Sequence, residues 1–426
     1  MLKKEIFSRF LKEQFRTTDK DFTRERKQSF SGTVLFLINF LTKSLSLEIV
    51  NFVAHLKREP GVNQPLFTKS AFVQARKKIS PEVFKHLIKR LTDEFYTDNS
   101  SVVCILEGFR VLAVDGSRIT LPLTKELEDL YGKTKNQTET SIVQARASVL
   151  YDLANNMAVD GILSNIGIGE RDLALRHLEH CEKGDLIIYD RGYPSYGFIQ
   201  EHYKRNIAFL MRARVDFSTV TKVFLQSGKT SQVIEIYPGR HTKLKGKDYD
   251  KDIPLKVRLI RVELPGGEIE LLITSLTDSK KHKHAIFKEL YFRRWKIETY
   301  YDELKNKLKM EYFSGYSNQS ILQDFYAAIF VSNVQSLIVA ELAEEQKETN
   351  KYSYKVNTAL SYGFMKDRIL TAFFSKGGME QTINELKELF RNNLIPIRPG
   401  RSLPRKVGKY KKRIKPKVTK NQKDTI

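Results

Sequence analysis

The sequence predicts an α/β protein: a ribonuclease-H-type order of strands and helices, preceded by a helical N-terminal domain and interrupted by a β-rich insertion. Three observations predict this. Residues 1–100 carry amphipathic helical spacing with little strand-like alternation. From Arg110 onward, short apolar runs alternate with helical ones. Residues 215–275 then alternate with a period of two between Gly-containing turns, before helical spacing returns.

In the first region, Ser80 can cap a helix and Pro81 suits its first turn. The helix Pro81–Tyr96 follows, with Val83, Leu87, Leu91 and Phe95 on one stripe. Just before it, Phe67–Lys78 carries Lys69, Arg76, Lys77 and Lys78. A DNA-binding module and an ordinary helical cap both fit this pattern. Residues 1–100 are therefore set apart as a helical N-terminal DNA-binding domain.

The sheet domain opens with a strand over Phe109–Leu121. Two more, Ile142–Leu153 and Asn156–Leu163, flank a turn at Ala154-Asn155. A helix over Glu170–Cys181, the apolar strand Asp185–Asp190, a helix over Tyr196–Arg205 and the strand Ile207–Met211 complete it. Other α/β folds begin in a similar order. The segment 215–275 offers Val233–Tyr237, Leu255–Leu264 and Glu268–Thr274, with Pro265-Gly266-Gly267 as a hairpin turn. A long helical stretch begins near His284 and runs past Leu308, and helices continue to about Phe390. The expected domains are thus 101–214 with 276–320 (catalytic), 215–275 (insertion), 321–395 (helical C-terminal region) and 396–426 (basic tail). Arg398–Lys423 holds twelve Lys or Arg and no acidic residue. Such a segment buries no core, so disorder in the unbound state is expected, with either a DNA-wrapping arm or a solvated tail as its role.

The formal net charge of +23 calls for an acidic partner, with nucleic acid as the default. The N-terminus lacks the apolar core of a signal peptide, and Ser332, Asn333, Gln335 and Ser336 interrupt the run Ala327–Val339. A soluble intracellular protein with no membrane partner is expected. The two cysteines, Cys104 and Cys181, supply no zinc motif and are expected to be buried free thiols.

Three acidic residues carry the chemistry. Hydrolysis of a phosphodiester with divalent cations needs hard oxygen ligands from several carboxylates. Asp115 follows Val111-Leu112-Ala113-Val114, and Asp190 follows Leu186-Ile187-Ile188-Tyr189. Each ends a buried-type strand, where a charge needs a partner or a metal; a turn aspartate is the plainer reading. Gly116 is expected to leave room for substrate. Glu298 lies in a helix on which Tyr291, Arg294, Glu298 and Lys305 fall within an arc of roughly 60°. Leu290, Ile297, Leu304 and Leu308 form the adjacent apolar stripe. A solvated charged face is the alternative, but Tyr291, Phe292, Trp295 and Tyr300 are costly to leave in water.

These motifs resemble bacterial insertion-sequence transposases of the DDE type, in the group whose third motif reads Y-(2)-R-(3)-E-(6)-K, insertion-sequence family four. Tyr291, Arg294, Glu298 and Lys305 meet that pattern in full. Val114-Asp115-Gly116-Ser117, followed by Leu121-Pro122, resembles the first motif, and Asp190-Arg191-Gly192-Tyr193 the second. The resemblance covers roughly residues 65–320. It implies a ribonuclease-H-like catalytic domain with a β-rich insertion, and a homodimer on double-stranded DNA that pairs transposon ends and attacks a target. It implies that Asp115, Asp190 and Glu298 are catalytic and bind Mg2+ or Mn2+. Tyr291, Arg294 and Lys305 would grip phosphates, and Trp295 would stack on a base. A cytoplasmic, nucleoid-associated bacterial protein follows. Two other readings stand beside transposition: a hydrolysis-only nuclease, and an inactive or domesticated DNA-binding relative.

Overall fold

The computed structural model describes residues 2–59, 61–98, 103–135, 141–238, 254–264, 266–345, 353–374 and 378–397. The N-terminal region is helical: α1 (Leu2–Ile6), α2 (Arg9–Phe15), α3 (Phe30–Ile38), α4 (Leu45–Leu56), α5 (Lys69–Arg76) and α6 (Glu82–Asp98). Side chains written for capping do cap: Ser8, Ser29 and Thr68 accept the N–H groups of Leu11, Gly32 and Ala71.

The middle of the chain runs β1 (Arg110–Thr120), α7 (Lys125–Tyr131), β2 (Lys133–Lys135), β3 (Ser141–Asp152), β4 (Met157–Asn165), α8 (Glu170–His177), β5 (Asp185–Tyr189), α9 (Tyr196–Lys204) and β6 (Ala208–Ala213). Then come α10 (Thr219–Gln226), β7 (Ser231–Ile236), β8 (Leu255–Glu263) and β9 (Ile269–Thr274). The sequence reading missed α7, β2 and α10. Among the described residues these strands form one sheet in the order β2-β3-β1-β5-β6-β9-β8-β7, with β4 also paired to β3. β1, β5 and β6 are parallel; β9 joins β6 antiparallel, and β8 and β7 follow antiparallel. The strands of 215–275 therefore extend the sheet instead of making a sheet of their own. They cover the edge that β6 would otherwise leave as unpaired N–H and C=O groups. At the hairpin, Gly267 takes φ +81° and donates its N–H to the carbonyl of Leu264; Pro265 lies outside the described residues.

β5 is buried along its whole length, as a central parallel strand requires. Around it Leu112, Val114, Ile187, Tyr189, Phe198, Phe209, Met211, Leu259 and Ile273 make one apolar core. At about 1.5–3 kcal/mol per buried large side chain, this layer is what holds the strand ends in place.

The helix expected from His284 past Leu308 is broken. It consists of α11 (Ala285–Phe292), α12 (Trp295–Asp302) and a wide π turn over Glu303–Lys307. At the join the N–H groups of Arg294, Lys296 and Ile297 bond to carbonyls three residues back, which tightens the chain and resets the face each side chain occupies. Then follow α13 (Asn318–Glu345), α14 (Thr358–Met365), α15 (Arg368–Phe374) and α16 (Gly378–Arg391).

The chain divides into two compact units: residues 103–117 with 146–301, and residues 1–102 with 118–145 and 302–426. The first unit holds most of the sheet. In the second, α13 packs against α3, α6 and α16. Asn318–Leu342 is long and apolar enough to cross a membrane by length and composition, but about two thirds of that window is buried inside the protein. Asn333 and Gln323 are buried within it. Cys104 is exposed and Cys181 partly buried, so only the second approaches the expected burial. Pro396, placed in the basic tail by composition, pairs with Tyr354 in a short antiparallel ladder. The Arg398–Lys423 run lies outside the described residues.

Candidate active site

β1 and β5 bring the first two acids together. Their parallel register sets Ala113 opposite Ile188, and two residues further along each strand stand Asp115 and Asp190. Neighbouring strands lie about 4.8 Å apart, so the two acids stand side by side, Asp115 midway along β1 and Asp190 just past the end of β5. Open α/β sheets bind their ligands at this carboxyl end. Val111–Val114 is at most 1 % exposed, which fixes Asp115 at the rim of the core. Asp115 Oδ1 accepts the Gly116 N–H at 2.9 Å, and Asp190 Oδ1 accepts the Gly192 N–H at 2.7 Å. Burial above all, with the charges of Asp190 and Glu298 adding to it and the Gly116 N–H and Arg294 opposing it, holds the Asp115 carboxyl up at about 6.

α12 is fastened over these strand ends. The Tyr301 hydroxyl donates to the Asp115 carbonyl at 2.9 Å. The Lys296 ammonium donates to the Leu153 carbonyl at 2.7 Å, and Tyr300 stacks on Tyr151 with centroids 4.4 Å apart. Glu298 projects from this helix and accepts a 2.7 Å hydrogen bond from Arg294. Burial lowers the Arg294 pKa, but Tyr291, Glu298 and Asp115 together carry it above its ordinary value. Its guanidinium lies 5.8 Å from the Tyr291 ring and 5.1 Å from that of Trp295. Tyr291 and Tyr300 are buried as their cost in water demands, whereas Trp295 is 52 % and Phe292 70 % exposed. Asp115, Asp190, Tyr291, Arg294, Trp295 and Glu298 therefore share one unit. Lys305 falls in the other, within the π turn, where its ammonium donates to the Arg118 carbonyl at 2.7 Å.

Sequence reasoning missed three neighbours. The space above Gly116, expected to admit substrate, is taken by Glu170: a Cβ on Gly116 would meet its side chain at 3.1–3.3 Å. Glu170 accepts from Arg146 at 2.9 Å. Tyr193 is 1 % exposed, and its hydroxyl has no hydrogen-bond partner among the described residues. Burial drives its pKa well up, with Asp115, Glu170 and Asp190 adding to the rise. Tyr193 sits in the Asp-Arg-Gly-Tyr motif, a signal that was in view without a role attached. Glu170 read only as the first residue of a helix.

The donor set is the chemistry a hard divalent cation takes, and the unpartnered Tyr193 hydroxyl is a polar group left for a further ligand. Among the described residues no three Asp, Glu, His or Cys side chains are grouped closely enough to hold a metal ion; Glu298 is bonded to Arg294. By donor type the residues fit a cation; closing around one would take Glu298 from Arg294.

The family of the transposase DDE domain matches residues 107–334. The chain is 22 % identical over 358 residues to the transposase InsG for insertion sequence element IS4 of Escherichia coli (strain K12), covering 82 % of this chain and 78 % of that one. It is 25 % identical over 152 residues to the putative transposase y4zB of Sinorhizobium fredii (strain NBRC 101917 / NGR234), covering 35 % of this chain and 41 % of that one. A cryo-EM structure of the piggyBac transposase synaptic complex with hairpin DNA aligns over 94 % of this chain and 86 % of that one, at 8 % identity and a TM-score of 0.45, too loose a likeness to bear on the argument. The chain belongs to the family of the transposase DDE domain. DNA binding and DNA recombination follow from that membership.

Proposed function

We propose that this protein cuts DNA at transposon ends and joins the freed 3′-hydroxyl to target DNA, using Asp115, Asp190 and Glu298 on a ribonuclease-H-like core. The observation that carries the reading is the level placement of Asp115, within β1, beside Asp190, just past the parallel neighbour β5. The strand order β3-β1-β5-β6, with β1, β5 and β6 parallel, supports the core assignment.

In the first step a water oxygen attacks the end phosphorus and the bond to the 3′-oxygen breaks, leaving a 3′-hydroxyl and a 5′-phosphate. In the second, that 3′-oxygen attacks a target phosphorus and displaces the target's own 3′-oxygen. Bound Mg2+ or Mn2+ supplies charge neutralisation at the phosphate and a lower pKa for the attacking oxygen. The three acids would hold those cations. Arg294, released from Glu298, would offset phosphate charge, with Tyr291 backing it from the buried side. Half-exposed Trp295 would stack on an unpaired base. Lys305 would contact the end DNA as part of the family signature. Pairing of two ends calls for a homodimer on DNA, in the bacterial cytoplasm and at the nucleoid.

The test incubates full-length protein with labelled duplexes carrying the element's own ends and Mg2+ or Mn2+, scoring cut and joined products separately. Asp115→Ala, Asp190→Ala and Glu298→Ala should each abolish both products, by roughly a thousandfold or more, while end binding persists. Cutting without joining by the wild type would leave a nuclease only. Full cutting by any one variant would remove that residue from the site.

A further inference from the structure

In the helical unit, the stretch between α2 and α3 lies against α5 and encloses a cleft of about 740 Å³. Lys20, Arg24, Arg26 and Lys27 line it together with Lys78 from just beyond α5, against one lining carboxylate, Glu25. Lys78 is paired with Asp21 at 3.2 Å. Lys20, Arg24, Arg26 and Lys27 have no ion-pair partner among the described residues, and all four are exposed. A run of like charges this dense repels itself unless a polyanion answers it.

A second, independent observation points to a ligand. Gln28 also lines the cleft and is 5 % exposed, yet neither its Oε1 nor its Nε2 has a hydrogen-bond partner among the described residues. A buried amide with both ends unsatisfied costs free energy until something bonds to it. The backbone beside it is strained too. Phe22 sits at φ +55°, a region bulky residues avoid, and its ring is held edge-on to Phe30 at 5.5 Å.

We propose that this cleft grips the phosphodiester backbone of DNA, with Arg24, Arg26 and Lys27 neutralising phosphates and the Gln28 amide bonding to the bound strand. The inference rests on the DNA-transposition reading and adds a contact surface outside the DDE residues. It also places the DNA contact beside the Phe67–Lys78 segment, for which the sequence left a DNA-binding module and an ordinary helical cap both open, with Lys78 shared between the two. Arg76 is buried and bonded to Asp324, and Lys78 is held by Asp21.

The test measures binding of full-length protein to a fluorescein-labelled DNA duplex by anisotropy across a salt series. The triple variant Arg24→Ala, Arg26→Ala, Lys27→Ala changes only exposed side chains, so circular dichroism should match the wild type. Its affinity should fall about tenfold or more, and the slope of log K against log salt should flatten by about 2–3, near 0.9 per lost phosphate contact. Gln28→Ala should weaken binding without changing that slope. The pair Lys69→Ala, Lys77→Ala, outside the cleft, should do little. Wild-type affinity and slope in the triple variant would overturn the assignment. If the wild type neither cuts nor joins end DNA while the triple variant still loses affinity, the transposition reading fails and the cleft stands.

Discussion

Two buried polar clusters in this chain show opposite ways of handling charge. In the helical unit Arg76 is 3 % exposed and fully engaged: Nε bonds to Gln323 at 2.9 Å, Nη1 to Ser314 at 2.7 Å, and Nη2 to the Ser320 carbonyl and to Asp324 at 3.1 and 3.0 Å. Asp324 is in turn bonded by the N–H and hydroxyl of Ser314. Gln319 and Gln323 satisfy the carbonyls of Arg76 and Ile79, closing the end of α5. At the strand ends of the sheet unit the balance is different. Asp115 is held above the usual carboxylate range by burial, and the Tyr193 hydroxyl is buried without a partner. A cluster built for stability satisfies itself. The one proposed to take a ligand leaves the Tyr193 hydroxyl open.

The largest expected effect breaks the first cluster. Arg76→Ala removes the cation and strands Asp324 in a mostly buried place, so it should lower stability by about 3–5 kcal/mol in chemical denaturation. Arg76→Lys should recover only part of this, because an ammonium cannot reproduce the fork of bonds to Gln323, Ser314 and Asp324. A loss below about 1 kcal/mol for the alanine variant would mean the cluster is no keystone, and the contrast would collapse from that side.

The difference between the clusters also explains what the sequence made legible. Asp115 and Asp190 stood out as candidates because a buried strand is an unbroken apolar run, and an acid that interrupts or follows it shows against it. Glu298 stood out as a candidate through the spacing of its neighbours, although the helix carrying it is broken at Arg293-Arg294 and the spacing reading assumed a continuous one. The break depends on hydrogen bonds three residues apart and on tertiary fastening by Lys296 and Tyr301, neither of which periodicity encodes. Arg76 misled, since a basic residue beside Lys77 and Lys78 looks like surface charge. Its partners lie some 240 residues away along the chain, and no local pattern announces them. Glu170 stayed hidden for the same reason: only the folded approach to Gly116 brings it to Asp115.

A second prediction sharpens the contrast from the side of the sheet. Asp115 has a folded pKa near 6 against an ordinary value of 3.8, so the folded state holds the proton more tightly than the unfolded one. Stability in divalent-free buffer should therefore fall as pH rises from about 4 to 6 and stay reduced above that. The shift sets a ceiling of about 3 kcal/mol. Asp115 is only partly buried, so about 1–2 kcal/mol is expected. Asp115→Asn should recover that amount at pH 7.5 and flatten the profile between pH 4 and 6. His202 works in the opposite sense and must be separated from it. Burial lowers its pKa to about 3, so its contribution is complete above about 6.5 and is lost as pH falls toward 3. The Asn variant should keep that acid limb. A variant less stable than the wild type at pH 7.5 would show that the carboxylate is satisfied within the fold.

The smallest effect is the most discriminating. Tyr193→Phe deletes a hydroxyl that bonds to nothing among the described residues, while the ring stays packed against Tyr189 and Phe198 at 5.0 and 5.9 Å. Had the hydroxyl been paired within the protein, its loss would cost about 0.5–1.5 kcal/mol. Since it is not, stability should stay within about 0.5 kcal/mol of the wild type or rise slightly. Binding of Mn2+ and cutting of end DNA should nonetheless weaken, by about three- to tenfold, if the hydroxyl completes its bonding only when the site is loaded. Calorimetric titration with Mn2+ and a denaturation curve on the same preparation separate the two quantities. A destabilised variant that binds Mn2+ as well as the wild type would make Tyr193 a packing residue, and the strand-end cluster would then resemble the self-satisfied one around Arg76.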